Sequence, residues 1–218
     1  MATSSGFQLP TNVRPLKYRL LLSPDLDHFT FNGKVQIEVE ITEQTDEVIF
    51  NAVDINIQDS ALHLSDGMTV TPEETRYDEL TETVTLSFGS QIPTGGAQLE
   101  VAFTGELNDR LHGFYRSVYQ TTEGAEGKLA TTQFEATDAR RAFPCWDEPA
   151  LKANFEVALV IPSDLTAVSN MPVVGESPEG VGTKRVQFQE TPRMSTYLLA
   201  FVVGDLEYVE DKSSAGTV

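Results

Sequence analysis

The chain has 218 residues, of which 40% are hydrophobic and 22% charged; that is enough apolar material to bury the core of one large all-β domain and too much for a disordered chain. Fifteen Lys and Arg stand against 33 Asp and Glu, for a net charge of -18, a field that repels phosphate backbones and anionic lipid and so excludes nucleic-acid and membrane-surface binding from the expected functions. Solubility at neutral pH accounts for the same charge without a partner selected by it.

Residues 1–13 are polar, include Gly6 and Pro10, and read as a flexible arm. They show no basic segment followed by an apolar one, so no signal peptide is expected. Tyr18, Leu20 and Leu22 then alternate with Lys17, Arg19 and Leu21, and Val35, Ile37, Val39 and Ile41 alternate with Gln36, Glu38 and Glu40. Period two over such lengths predicts strands with one buried and one wet face. Val48–Asn51, Ile55–Leu64, Thr83–Phe88 and Leu99–Phe103 continue the series, separated by Ser65-Asp66-Gly67, Pro72, Pro93 and Gly95-Gly96. Short strands with this punctuation predict an antiparallel sandwich or barrel-like sheet system.

Gly113–Gln120 and Leu129–Ala136 are predicted strands around a hairpin tip at Thr121–Lys128. Asp138–Ala142 reads as one helical turn capped by Asp138, and Pro144 and Pro149 bracket a compact loop. Further strands are expected at Phe155–Ile161, Leu165–Ser169, Val173–Glu176, Val186–Phe188, Tyr197–Val203 and Leu206–Val209. No amphipathic helix and no apolar run of about 18 residues interrupts them. The fold class is therefore all-β, and one domain over 14–210 is expected, with two sheet lobes meeting near 105–113.

Chemistry is sparse. His28, His63 and His112 have no partner at the i,i+4 spacing that aims two imidazoles from one helix face at a metal, and each reads as a surface or edge residue. The single cysteine, Cys145, rules out an intrachain disulfide and thiolate clusters. It favours a reducing, cytoplasmic location, and between Pro144 and Trp146 it reads as an inert buried thiol. No G-x-S-x-G elbow or phosphate loop is present. On a strand over Leu129–Ala136, Gln133 and Glu135 would share one face. A carboxamide beside a carboxylate suits a cationic amine, although a solvated strand face is the commoner meaning of such a pair.

The stretch Gln133-Phe134-Glu135-Ala136-Thr137-Asp138-Ala139-Arg140-Arg141-Ala142-Phe143-Pro144-Cys145-Trp146-Asp147-Glu148-Pro149 resembles the N-terminal-domain signature of the gluzincin zinc aminopeptidases. The likeness is nearest to the puromycin-sensitive and fungal cytosolic members, with aminopeptidase N a wider relative. Pro15-Leu16-Lys17-Tyr18, Phe31-Asn32-Gly33-Lys34-Val35, Gly113-Phe114-Tyr115-Arg116-Ser117 and Thr191-Pro192-Arg193-Met194-Ser195-Thr196-Tyr197-Leu198-Leu199-Ala200 extend it over roughly 9–210.

The resemblance implies a saddle-like β domain ahead of a catalytic domain in one polypeptide that removes N-terminal residues from peptides. Glu135 is then expected to reach the substrate α-amine, Gln133 to line the first side-chain pocket, and Arg141, Trp146 and Asp147 to brace the loop. The family's H-E-x-x-H zinc ligands and G-x-M-E-N loop are not in this sequence. Residues 211–218 therefore read as a linker toward an absent catalytic domain. No catalytic residue and no metal ligand is expected in this chain, which alone should be inactive; the zinc belongs to the parent enzyme. Two alternatives stand beside this reading: a non-catalytic binding or scaffold module that forms a homodimer through its exposed docking face, and an enzyme using Glu135 and Asp138 as an acid–base pair.

Overall fold

The structure, a computed structural model, describes residues 8–120, 124–207 and 209, and the backbone of Lys212, Ser213, Gly216 and Thr217. Strands dominate it. The first are β1 (Val13–Asp25), β2 (Thr30–Ile41), β3 (Thr45–Asn51) and β4 (Ile55–Leu64), followed by the short β5 (Thr69–Val70) and β6 (Glu74–Asp78). Then come β7 (Thr83–Ile92), β8 (Gly95–Glu106), β9 (Gly113–Gln120) and β10 (Glu126–Gln133). A single 3-10 turn at Ala139–Arg141 precedes β11 (Asn154–Pro162), β12 (Thr166–Ser169), β13 (Val173–Pro178) and β14 (Thr183–Phe188). A second 3-10 turn at Thr196–Leu198 leads into β15 (Phe201–Gly204), and β16 (Lys212–Ser213) and β17 (Gly216–Thr217) pair beyond it.

Eight strands form one sheet in the order β13-β14-β11-β1-β2-β8-β4-β5, four form a second, β12-β15-β10-β9, and three a third, β3-β7-β6. The expected all-β, mostly antiparallel class holds; β1 and β11 are the parallel pair at the centre of the large sheet. Alternation explains β1 up to one irregularity: its register on β2 shifts between Pro15 and Lys17. A bulge there tolerates the missing N–H of Pro15 and realigns Tyr18, Leu20 and Leu22 toward the core.

The core is aromatic and continuous. Phe155 stacks on Tyr18 at 4.9 Å between ring centroids, and Tyr18 meets Phe143 edge-on at 6.0 Å. Phe143 touches Phe134 at 6.1 Å, Phe134 touches Phe201 at 5.9 Å, and Phe201 touches Phe114 at 5.0 Å. Phe31 and Phe103 complete the chain. Rings from the eight-stranded sheet, the signature segment and the four-stranded sheet thus interlock, mostly edge-to-face with one stacked and one tilted pair, which adds to the stabilisation from burial alone.

Two glycines make room at one end of this chain. Gly33 pairs across β2 and β8 with Phe103, and Gly105 pairs with Phe31. Each ring lies over the facing glycine, where an added Cβ would collide with it. Gly33→Ala is accordingly expected to cost about 1–3 kcal/mol through overpacking, read as a lowered urea midpoint with an unchanged slope.

Several expectations are corrected. β10 ends at Gln133 rather than Ala136, and the Tyr197–Val203 stretch opens as a 3-10 turn, with the strand starting only at Phe201. There Asn170 replaces the ladder: its side chain accepts from the Ala200 N–H and donates to the Leu198 carbonyl, both at 2.8 Å. Leu206, Glu207 and Val209 are not in a strand. β6 was not predicted because its residues are all exposed and polar around Tyr77, which leaves no alternation to read. Part of the predicted hairpin tip, Thr121–Glu123, lies outside the described residues, as do residues 1–7 of the arm. Within the rest of that arm Leu9 is buried, and its N–H donates to Glu148 Oε1 at 2.5 Å.

Candidate functional site

The signature segment leaves the end of β10, makes one tight turn and then dives into the core. Gln133 closes the β9–β10 ladder opposite Gly113. It shares the outer face of the four-stranded sheet with Thr131 and Leu129, and one register row of that face runs Val168, Val202, Thr131, Tyr115. Phe134, next in the chain, points inward and is buried. Because the strand stops at Gln133, the expectation that Glu135 shares a strand face with Gln133 does not hold. Glu135 sits on the following turn, in which the Asp138 N–H donates to the Phe134 carbonyl at 2.9 Å. The Glu135–Ala136 peptide is cis.

The 3-10 turn forms where expected, but Asp138 makes no capping hydrogen bond to it. Its carboxylate instead accepts from Arg141 Nε at 2.9 Å, and His112 Nδ1 lies 3.3 Å from the same oxygen. Arg141 continues to Asp54 at 2.8 Å and Glu82 at 3.5 Å, while Arg140 binds Glu82 at 2.8 Å and Asp147 at 3.0 Å. Asp54 and Glu82 both have φ of 56, a left-handed conformation that costs a non-glycine residue on the order of 1 kcal/mol. Both present their carboxylates to these arginines.

Asp147 is the buried anchor of the segment. Its carboxylate also accepts from Thr196 Oγ1 at 2.6 Å, and its N–H donates to Asn51 Oδ1 at 3.1 Å. Cys145 and Asn51 exchange backbone hydrogen bonds at 2.8 and 3.1 Å, and the Trp146 N–H donates to Tyr18 Oη at 3.1 Å. The segment is in effect an extra piece of backbone stitched to the end of β3. The expected bracing by Arg141, Trp146 and Asp147 is present in these contacts. Arg140, not singled out from sequence, is the arginine that holds Asp147. Burial works to lower its pKa, but the hydrogen bond and charge of Asp147 and the hydrogen bond to Glu82 raise it. Burial pushes the Cys145 thiol well above its usual range, and the Asp147 charge adds to the effect, so the residue is a packed neutral thiol.

Against this background the two candidate residues differ from their neighbours. Gln133 and Glu135 are both exposed. Asp138, Arg140, Arg141, Asp147 and Glu148 all have side-chain partners, whereas among the described residues neither Gln133 nor Glu135 has one. A large open cleft of about 1160 Å³, lined by Phe31, Ile55, Tyr77, Glu82, Arg110 and Arg141 among others, does not include either residue.

Among the described residues no group of three or more His, Cys, Asp or Glu is placed to hold a metal ion. His28 bonds Asp25 at 2.7 Å, His63 bonds Thr69 at 2.9 Å and His112 lies by Asp138, in three separate places. These residues do not fit a zinc site. Among the described residues, no helix is long and apolar enough to cross a membrane.

The sequence profile described as the Peptidase M1 N-terminal domain matches residues 14–198. Aminopeptidase M1 of Arabidopsis thaliana is 44% identical over 213 residues, covering 96% of this chain and 24% of that protein. The puromycin-sensitive aminopeptidase of Caenorhabditis elegans is 43% identical over 210 residues, 96% of this chain and 22% of that protein. Aminopeptidase N of Acetobacter pasteurianus is 38% identical over 206 residues, 94% of this chain and 57% of that protein. The chain thus spans about a quarter of the length of the first two relatives. With a match over most of its length, the chain belongs to the Peptidase M1 N-terminal domain family.

Proposed function

We propose that the chain is the substrate-recognising N-terminal part of a zinc aminopeptidase that removes N-terminal residues from peptides, and that it performs no hydrolysis by itself. Glu135 binds the substrate α-ammonium, and Gln133 lines the pocket for the first side chain. The zinc is held by residues of a catalytic domain in the same polypeptide, and that domain covers the outer face of the four-stranded sheet on which Gln133 lies. The names of the relatives support the reaction class. A cytoplasmic location is supported by the one cysteine, which is an unpaired buried thiol.

The single observation that carries the reading is the state of Glu135. The two arginines of this segment, Arg140 and Arg141, are already shared among Asp54, Glu82, Asp138 and Asp147, whereas the Glu135 carboxylate is exposed and has no partner among the described residues, one residue from a ring locked in the core. An exopeptidase must favour a free amine over an internal amide. A fixed carboxylate does so by a charge-assisted hydrogen bond, strongest once the closed site has displaced water.

In the full-length protein Glu135→Gln is expected to raise the Michaelis constant for an aminoacyl 4-nitroanilide about 10- to 100-fold, the worth of one hydrogen bond to a charged group. An unchanged Michaelis constant together with an unchanged rate would remove Glu135 from this role. A second reading, a homodimer of this chain through the same sheet face, draws on the half-exposed Val168 there; sedimentation of the isolated chain as a monomer at high concentration overturns it.

A further inference from the structure

We infer that Asp138 and Arg141 are positioning residues that set the reach of Glu135, an inference that rests on the amine-binding reading above. Glu135 lies on a turn of exposed residues, 135 to 137, that would otherwise sample many conformations. Both ends of that turn are fixed. At its start Phe134 is clamped between Phe143 and Phe201. At its end Asp138 closes the backbone hydrogen bond to Phe134 and then gives its carboxylate to Arg141 Nε at 2.9 Å.

Arg141 connects the turn to the neighbouring strand as well. Gly113, the residue paired with Gln133, has φ of 69, and a Cβ there would sit 2.7 Å from Arg141 Cβ. The aliphatic part of Arg141 therefore lies against the end of the β9–β10 ladder that carries Gln133, while its guanidinium holds the end of the turn that carries Glu135. One side chain fixes both members of the pair relative to each other. Its far nitrogens are taken by Asp54 and Glu82, which prevents it from swinging out to neutralise Glu135. The planar fork is what makes three carboxylates reachable at once, and a lysine could not reproduce it.

A group misplaced by about 1 Å loses much of its binding contribution. In the full-length protein Asp138→Asn and Arg141→Lys are each expected to raise the Michaelis constant for an aminoacyl 4-nitroanilide about tenfold, with kcat little changed. Because they act through Glu135, neither should raise it further in a Glu135→Gln background. A purely structural role would lower the melting temperature and give effects that multiply with that of Glu135→Gln. Two outcomes overturn the inference while leaving the amine-binding reading intact: Glu135→Gln raises the Michaelis constant and the other two substitutions leave it unchanged, or their effects multiply in the double variants. A silent Glu135→Gln removes the amine-binding reading itself and this inference with it. Should Asp138→Asn fail to fold, Arg141→Lys alone, which keeps the charge, decides the question by the same comparison.

Discussion

Asp147→Ala is expected to lower the unfolding free energy of the chain by about 3–5 kcal/mol, the usual consequence of removing one partner from a buried ion pair. Asp147 is 2% exposed, and it serves three parts of the chain at once. Its carboxylate holds the Arg140 guanidinium at 3.0 Å and the Thr196 hydroxyl at 2.6 Å, and its backbone is held by Asn51 at the end of β3. Without it Arg140 keeps only Glu82 as an ionic partner, in a place where its side chain is 11% exposed. Thr196 would then bury a hydroxyl without an acceptor. Asp147→Asn should cost less, about 1–3 kcal/mol, because the carboxamide oxygen still accepts from Thr196 while the charge is lost. Urea unfolding of the two variants checks both values. A loss below 1 kcal/mol for Asp147→Ala would mean that the brace is already dispensable to the fold.

The strands of the large sheet were legible because they alternate cleanly and are long. Val35 to Ile41 and Phe155 to Ile161 show their buried faces in the bare sequence. What was not legible follows from interactions that no short-range pattern encodes. β6 is exposed throughout and forms because β7 offers it an edge. The early end of β10 follows from its partners: β9 begins at Gly113, opposite Gln133, and β15 reaches only Ala130 and Thr131, so the chain beyond Gln133 has no ladder to join. The two adjacent arginines could not be told apart either. A 3-10 turn has about three residues per turn and sends neighbouring side chains in widely different directions; here Arg140 goes to Asp147 and Arg141 to Asp138 and Asp54. For the candidate pair, Gln133 and Glu135 were named from their residue types and from a family resemblance. That neither has a side-chain partner among the described residues, while the charged residues around them are paired, is visible only once Asp54 and Glu82, distant in sequence, are seen to occupy the arginines.

Phe134→Ala is expected to be comparably damaging and to connect stability with recognition. Phe134 is 2% exposed and is the link in the aromatic chain between Phe143 of the signature segment and Phe201 of β15. Truncating a fully buried phenylalanine removes its transfer free energy and leaves a cavity between two rings that cannot collapse freely, for a loss of about 3–5 kcal/mol. Phe134→Leu fills most of that volume and should lose less, about 1–2 kcal/mol. The same ring fixes the start of the Glu135 turn, so in full-length protein that remains folded Phe134→Ala should also raise the Michaelis constant for substrates with a free amine, whereas Phe134→Leu should raise it less. Urea unfolding measures the first effect and initial rates below the unfolding midpoint measure the second. If the stability falls while the Michaelis constant stays at its original value, Phe134 is a core residue only, and the position of Glu135 is fixed from the Asp138 side of the turn.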